Sequence, residues 1–216
     1  MLRKLLLACG ALSSLVYIGA DLAAAFLYPD HHSFVAQAVS ELTAVGAPTR
    51  AVVGPMFLVY NLLVVAFAVG LWTSVCDDRL RVTAAFVGGI GFIGLVAAPF
   101  ADMNPRGSAF AFNDMLHIAL TTAIVLCIFG GVMFAAAAFG RRFFAYSVMT
   151  LLALAVFGVL AGMQGVQLAS GQATPWLGVL ERFHIGAYLL WMAVLALSVW
   201  PDHGPFPAKR SRRARD

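Results

Sequence analysis

Charged side chains are scarce in this sequence, and their scarcity excludes a soluble protein. Only 11% of the 216 residues are charged, 62% are hydrophobic, and the mean hydropathy is +0.89. A soluble globular domain has roughly 25% charged and about 45–50% apolar residues. The composition therefore indicates an integral membrane protein.

Cysteine is also rare, and nucleic-acid-binding patterns are missing. Cys9, Cys76 and Cys127 fall within or at the ends of hydrophobic segments, so they do not form an extracellular disulfide framework. No zinc-knuckle spacing and no interleaving of basic and aromatic residues accompanies the net charge of +4. We therefore expect the lipid bilayer, and no nucleic acid, to be the partner of this protein.

Long hydrophobic runs are what the sequence has instead. A helix needs about 20 apolar residues to cross the hydrocarbon core of a bilayer, and six stretches reach that length. They lie near residues 5–27, 50–75, 82–101, 114–139, 143–168 and 175–200. The sequence thus predicts an all-α, polytopic bundle of six transmembrane helices. We expect a single membrane domain, residues 1–200, and a basic cytoplasmic tail, residues 201–216.

The distribution of Lys and Arg predicts the orientation of the bundle, because these residues are enriched in short cytoplasmic loops. Of the 14 Lys and Arg residues, 11 fall on the side of the two termini, and the other side holds Arg50, Arg106 and Arg182. We therefore predict a multi-pass protein of the plasma (inner) membrane with both termini in the cytoplasm.

The long loop between the first and second spans contains a helical pattern. Apolar residues recur at helical spacing from Ser33 to Val45, and Gln37, Ser40 and Glu41 lie on the opposite face. Ser33 is a suitable N-cap residue, and Gly46 is a suitable stop. The pattern predicts a short amphipathic helix at the outer interface, over the mouth of the bundle.

Ionisable side chains inside the predicted spans point to a site in the outer half of the bundle. Such a residue costs about 2.5–3.5 kcal/mol at mid-helix on insertion scales, so it indicates a functional site. The sixth span has one polar helical face, formed by Glu181, His184, Tyr188 and Trp191. Arg182 points about 100° away from Glu181, so we expect it to pair with another acid. The sequence leaves three candidates open: Asp21, Glu41 and Asp102.

Two acid-x-x-His pairs suggest a metal site as one interpretation of these residues. Paired motifs of this kind, with further carboxylates, form di-metal sites in helical bundles. A divalent metal such as zinc would then be held by Asp114, His117, Glu181 and His184. The alternative is that Asp114 caps the fourth helix and that the histidines belong to the hydrogen-bond networks found in membrane interiors.

Several short motifs make the chain resemble a known family over nearly its whole length. Val39–Pro48 (VSELTAVGAP) resembles the family's Ser-Glu-Leu-Gly segment before the second helix, with Thr43 in place of the glycine. Phe100-Ala101-Asp102, His117 and Leu180-Glu181-Arg182 resemble motifs of the third, fourth and sixth helices. The family is the bacterial and archaeal six-helix membrane protein family called domain of unknown function 998. The resemblance implies the six-helix fold, assigns no activity, and carries over Ser40, Glu41, Asp102, His117 and Arg182 as site residues.

These observations leave three functions open. The first is an outward-facing polar pocket that binds a lipid headgroup or another small amphiphile, in which Arg182 takes the anionic part. Its predicted ligand-binding residues are Ser40, Glu41, Asp102, His117, Glu181 and Arg182. The second is a metal-dependent, membrane-embedded hydrolase or redox enzyme. The third is a structural or assembly protein whose polar cluster only locks the helices together.

Overall fold

Six long helices make up most of the structure. The computed structural model describes residues 1–200, apart from the side chains of residues 98 and 99, so the predicted tail 201–216 lies outside the described residues. The long helices are α1 (Leu2–Leu27), α2 (Arg50–Ser74), α3 (Asp78–Phe100), α4 (Phe112–Ala138), α5 (Arg141–Gly162) and α7 (Leu177–Ser198), with a short α6 (Gly165–Ala169) before α7. Residues 1–200 contain no β-strand, and six helical segments are long and apolar enough to cross a membrane. The predicted all-α six-helix fold is confirmed.

Helix ends differ from the predicted boundaries where local hydrogen bonds intervene. Helix α3 begins at Asp78 rather than near residue 82, because the Asp77 carboxylate accepts the backbone N–H of Arg79 at 2.8 Å and caps the helix. The predicted fifth span is interrupted after Gly162 and resumes as α6. The last span, predicted from residue 175, begins as α7 only at Leu177.

The segment between α1 and α2 is less helical than its pattern predicts. Two short 3-10 helices follow the first span, over Pro29–His31 and Val39–Thr43, in place of the predicted amphipathic helix over Ser33–Val45. Polar side chains take backbone N–H groups that a helix needs: Ser33 Oγ accepts from Ala36 at 3.1 Å, and Glu41 Oε2 accepts from Ala38 at 2.8 Å. Such local side-chain bonds compete with helix formation.

The six long helices pack as a closed ring. Each contacts its neighbour along the chain, α5 contacts α7, and α7 contacts α1. Buried Trp191, Phe67 and Phe143 fill the core, and polar bonds connect the helices within it. The Ser14 hydroxyl of α1 donates to the carbonyl of Leu189 at 2.9 Å, which aligns the middle of α1 with the middle of α7.

The connecting segments 28–49, 101–111 and 163–176 all lie at one end of the ring, which we call the loop end. At the opposite end, the connections 75–77 and 139–140 are short. Arg3 of α1 donates to the carbonyl of Ser74 there, at 3.1 Å. The ionisable residues predicted as site residues therefore lie where three long connections can cover them.

Candidate functional site

Arg182 of α7 and Asp21 of α1 form a two-point ion pair at the loop end. Nε of Arg182 donates to Oδ2 of Asp21 at 2.7 Å, and Nη2 donates to Oδ1 at 2.7 Å. The two side chains are 17% and 13% exposed, and this bidentate geometry is the strong form of an arginine–carboxylate pair. Of the three acids that the sequence left open as partners of Arg182, the structure selects Asp21.

The other donors of Arg182 hold the 28–49 segment against α7. Nη1 donates to the carbonyls of Phe34 at 3.2 Å, Gln37 at 2.8 Å and Gly178 at 3.2 Å, and Nη2 faces Nε2 of His32 at 3.4 Å. Gly178 makes this approach possible, since a Cβ there would lie 2.6 Å from the carbonyl oxygen of Gln37. Four of the five N–H groups of the guanidinium thus have acceptors within the protein, and the fifth faces His32 Nε2, whose own N–H donates to Oδ1 of Asp21 at 3.0 Å.

Arg106, in the 101–111 segment, forms a second saturated network. Nε and Nη2 donate to the two carboxylate oxygens of Glu41 at 3.1 and 2.9 Å. Nη1 donates to Thr174 Oγ1 at 2.6 Å and to the carbonyl of Gln172 at 3.1 Å, and Nη2 donates to the carbonyl of Ala36 at 3.2 Å. Arg106 therefore ties all three connections of the loop end together and retains no free donor.

Asp114 caps α4, as the sequence interpretation without a metal predicts. Its Oδ2 accepts from the backbone N–H of Ala111 at 2.9 Å and from Nδ2 of Asn104 at 2.6 Å, and its Oδ1 accepts from the backbone N–H of Asn104 at 2.7 Å. His117 lies one turn further, with Nδ1 2.8 Å from the carbonyl oxygen of Ala101. Both residues fasten the 101–111 segment to α4.

Asp102 lies in the 101–111 segment and forms an ion pair with Arg50 at the start of α2. The Asp102 carbonyl also accepts from Nδ2 of Asn113 at 2.8 Å. Burial raises the pKa of the Asp102 carboxyl group, and the neighbouring Arg50 and His117 side chains oppose this rise without cancelling it. Asp102 therefore helps to close the loop end and responds to pH.

The two acid-x-x-His pairs do not come together. Helices α4 and α7 share no extensive contact in the ring, and Nδ1 of His184 faces the carbonyl of Leu154 on α5 at 2.9 Å. In the described part of the chain, no three His, Cys, Asp or Glu side chains are grouped so that they could hold a metal ion. The predicted set of metal ligands, Asp114, His117, Glu181 and His184, is thus divided between two sides of the bundle.

Glu181 differs from Asp21, Glu41 and Asp102 because it forms no ion pair with an arginine of the described residues. It differs from Asp114 because only one of its carboxylate oxygens accepts a hydrogen bond. Each arginine there pairs with another carboxylate: Arg50 with Asp102, Arg106 with Glu41, and Arg182 with Asp21. Half-buried Glu181 accepts one bond, at Oε2, from the backbone N–H of Val39 at 2.7 Å. Its Oε1 accepts no hydrogen bond from residues 1–200. A carboxylate in this state inside a membrane helix is a candidate for a functional role.

Two tyrosines near the middle of the bundle have free hydroxyl groups. Tyr17 of α1 stacks on Phe57 of α2 with ring centroids 4.7 Å apart, and Tyr60 meets Tyr17 edge-on at 5.0 Å. Neither phenol hydroxyl forms a hydrogen bond with any residue in the described range 1–200, although Tyr60 is only 7% exposed. A buried Tyr hydroxyl usually has a partner, so these two are available to a ligand.

The tyrosines and Glu181 belong to one region of the bundle. Val39, whose N–H binds Glu181, lies in a small apolar cluster, and Tyr17 and Ile185 pack against that cluster. Ile185 lies one helical turn from Glu181 toward the middle of the membrane. The tyrosines therefore lie on the inward side of the carboxylate.

The match to a known protein family includes all of these site residues. A family model described as "Protein of unknown function (DUF998)" matches residues 11–198. The chain belongs to the DUF998 family. This membership confirms the resemblance seen in the sequence motifs. No curated protein and no solved structure matches the chain.

The part of the chain that matches DUF998 includes both arginine networks and Glu181. Of the positions carried over from the family motifs, Glu41 and Arg182 belong to the networks, and Asp102 and His117 fasten the 101–111 segment. The Ser40 hydroxyl has no hydrogen-bond partner among the described residues, and the Ser40 carbonyl accepts from Thr43 Oγ1 at 3.3 Å. These positions share the loop end, but most of them bond to protein groups.

Sequence reasoning overlooked Arg106 and Tyr60. A signal for Arg106 was present, because it is one of three basic residues on the side that is otherwise poor in them. The positive-inside rule disfavours basic residues on that side, so an arginine there is expected to pair with a carboxylate. No comparable signal marks Tyr60, since an aromatic residue in a hydrophobic run is usually part of the core.

Proposed function

We propose that this integral membrane protein binds the headgroup of a lipid or another small amphiphile at its loop end. The observation that carries the proposal is Glu181, a half-buried carboxylate whose Oε1 has no donor from residues 1–200. An ionisable group inside a membrane helix is costly and is retained where it serves a function. The 28–49 segment covers it, so a ligand reaching Glu181 would be shielded from bulk water.

The orientation supports a ligand from the outer leaflet. The loop end contains three of the 14 Lys and Arg residues of the chain, and the positive-inside rule assigns the end poor in these residues to the outside. We therefore propose that the loop end faces outward from the plasma membrane and that both termini are cytoplasmic. A headgroup at the depth of Glu181 would lie within reach of outer-leaflet lipids.

The proposal assigns different roles to the two neighbours in the sixth span. Arg182 was expected to take the anionic part of the ligand, but four of its five N–H groups donate to protein acceptors. We therefore assign Arg182 to the architecture of the site and Glu181 to ligand contact. Arg106 and Glu41 form the covering of the site, because they join the three connections above it.

Comparison of lipids bound to the wild-type protein and to Glu181→Gln tests the proposal. The amide keeps the size of the side chain and its hydrogen bond to Val39 but removes the charge. We expect the wild-type protein purified in mild detergent to retain an amphiphile that native mass spectrometry detects, and the variant to lose it. Asp78→Asn is the matched control, because the Asp78 side chain is 88% exposed at the opposite end.

Two results would refute the proposal. One is an identical set of retained amphiphiles in the wild type, Glu181→Gln and Asp78→Asn. The other is a change in thermal stability for Glu181→Gln with no change in bound material, which is the result expected of a purely structural cluster. Thermal unfolding of each variant in the same detergent shows whether loss of lipid follows from loss of fold.

A further inference from the structure

Each arginine of the loop end is already paired with a carboxylate. Arg106 has protein acceptors for all five N–H groups, four of the five N–H groups of Arg182 have them, and Arg50 is paired with Asp102. An anionic headgroup entering near Glu181 would therefore meet guanidinium groups that already pair with carboxylates, and the Glu181 carboxylate would repel it. The charge that this region lacks is positive.

We infer that the amphiphile bound at this site carries an ammonium group, which contacts Oε1 of Glu181. This inference rests on the proposed function and names the class of its ligand. An ammonium N–H donating to a carboxylate forms a charge-assisted hydrogen bond, which is roughly twice as strong as a neutral one. The same contact supplies the cation that Glu181 lacks among residues 1–200, while the bond from Val39 holds Oε2 in place.

The free tyrosine hydroxyls provide hydrogen-bond donors for the deeper groups of such a ligand, toward the middle of the membrane. The hydroxyls of Tyr17 and Tyr60 are donors without acceptors in the described part of the chain, and they lie on the inward side of Glu181. In a zwitterionic glycerophospholipid of the outer leaflet, the ammonium group is outermost and the phosphate and ester oxygens lie deeper. The Glu181 carboxylate, which lies further out, therefore matches the ammonium group. The two tyrosine hydroxyls, which lie deeper, match the phosphate and ester oxygens.

Three probes distinguish the ligand class from its source. They are dioleoyl phosphatidylethanolamine, dioleoyl phosphatidylglycerol with the same acyl chains, and free ethanolamine. Each is titrated into delipidated full-length protein in a maltoside detergent, and native mass spectrometry measures binding. We expect the wild-type protein to prefer phosphatidylethanolamine over phosphatidylglycerol by roughly ten- to hundred-fold, the range for one hydrogen bond to a charged group. Free ethanolamine, which has no acyl chains to bury, is expected to bind more weakly than the lipid.

Variants connect the preference to the residues that carry it. Glu181→Gln should reduce binding of phosphatidylethanolamine to the level of phosphatidylglycerol, and Asp78→Asn should leave the preference unchanged. Tyr60→Phe removes one donor and keeps the ring, so it should weaken binding of both lipids, because both contain phosphate and ester oxygens. The comparison between lipids on the wild-type protein keeps the inference testable if a variant fails to fold.

The possible outcomes separate this inference from the proposed function. If phosphatidylglycerol binds as tightly as phosphatidylethanolamine or more tightly, and its binding still depends on Glu181, the ammonium inference is wrong. The proposed amphiphile site would then still be supported. If free ethanolamine binds as tightly as the lipid, the result would support a ligand with an ammonium group and refute the claim that this ligand is a lipid. Absence of Glu181-dependent binding for all three probes would overturn both proposals.

Discussion

Removal of the Arg182 guanidinium is expected to destabilise the bundle strongly. Arg182→Ala would leave the Asp21 carboxylate, whose side chain is 13% exposed, with His32 as its remaining side-chain partner. The change would also remove the donor to the carbonyls of Phe34 and Gln37, which holds the 28–49 segment on α7. An interhelical contact and the covering of the loop end are therefore lost together.

The magnitude follows from the burial of the pair. Removing one partner of a buried ion pair costs about 3–5 kcal/mol, because the remaining charge is uncompensated. Arg81→Ala provides the contrast: Arg81 and Asp78 are 46% and 88% exposed and 3.8 Å apart, and such exposed pairs contribute about 1 kcal/mol or less. We expect the two arginine substitutions to differ by at least about 2 kcal/mol on these estimates.

Equilibrium unfolding in mixed micelles measures the difference, with helicity followed by circular dichroism. A double-mutant cycle with Asp21→Asn isolates the pair, since the neutral amide removes the orphaned charge. We expect Arg182→Ala to cost less in the Asp21→Asn background, with a coupling energy above about 1 kcal/mol. The reasoning is refuted if Arg182→Ala costs no more than Arg81→Ala, or if the two substitutions at the pair are additive.

Three further predictions concern the loop end and the topology. Gly171→Ala should destabilise the protein by about 1 kcal/mol or more, because Gly171 has φ +72° and lies against Gly107; Gly186→Ala, in a helix with open space around it, is the control in the same unfolding assay. The raised pKa of Asp102 means that the folded state binds the carboxyl proton more tightly than the unfolded state. The free energy of unfolding should therefore increase as the pH falls through that pKa. In unfolding curves measured between pH 7 and pH 4, Asp102→Asn should remove this increase. A variant with exposed Cys76 as its single cysteine should react with a membrane-impermeant maleimide in inverted vesicles and not in intact cells, and the opposite pattern would reverse the predicted orientation.

Hydropathy predicted the fold because each span is a local property of about 20 residues. Local patterns were less informative for the segment over Ser33–Val45, where the apolar spacing favours a helix and the polar side chains take the backbone N–H groups instead. The sequence thus contains an apolar spacing that favours a helix and polar side chains that disfavour one. Which of the two prevails depends on how the segment packs against α7. Its contact with α7 includes the bond from Val39 to Glu181 and the bonds from Arg182.

The partners of the ionisable residues depended on tertiary structure. Composition and residue order alone identified a membrane protein, its six helices, the unequal distribution of Lys and Arg, and the concentration of acids and histidines near one end. Only the packing of α1 against α7 placed Asp21 beside Arg182, 161 positions away. That pairing left Glu181 without a cation among the described residues. Helical periodicity gives the direction of a side chain from its own helix, whereas the charge it meets comes from helices distant in the chain.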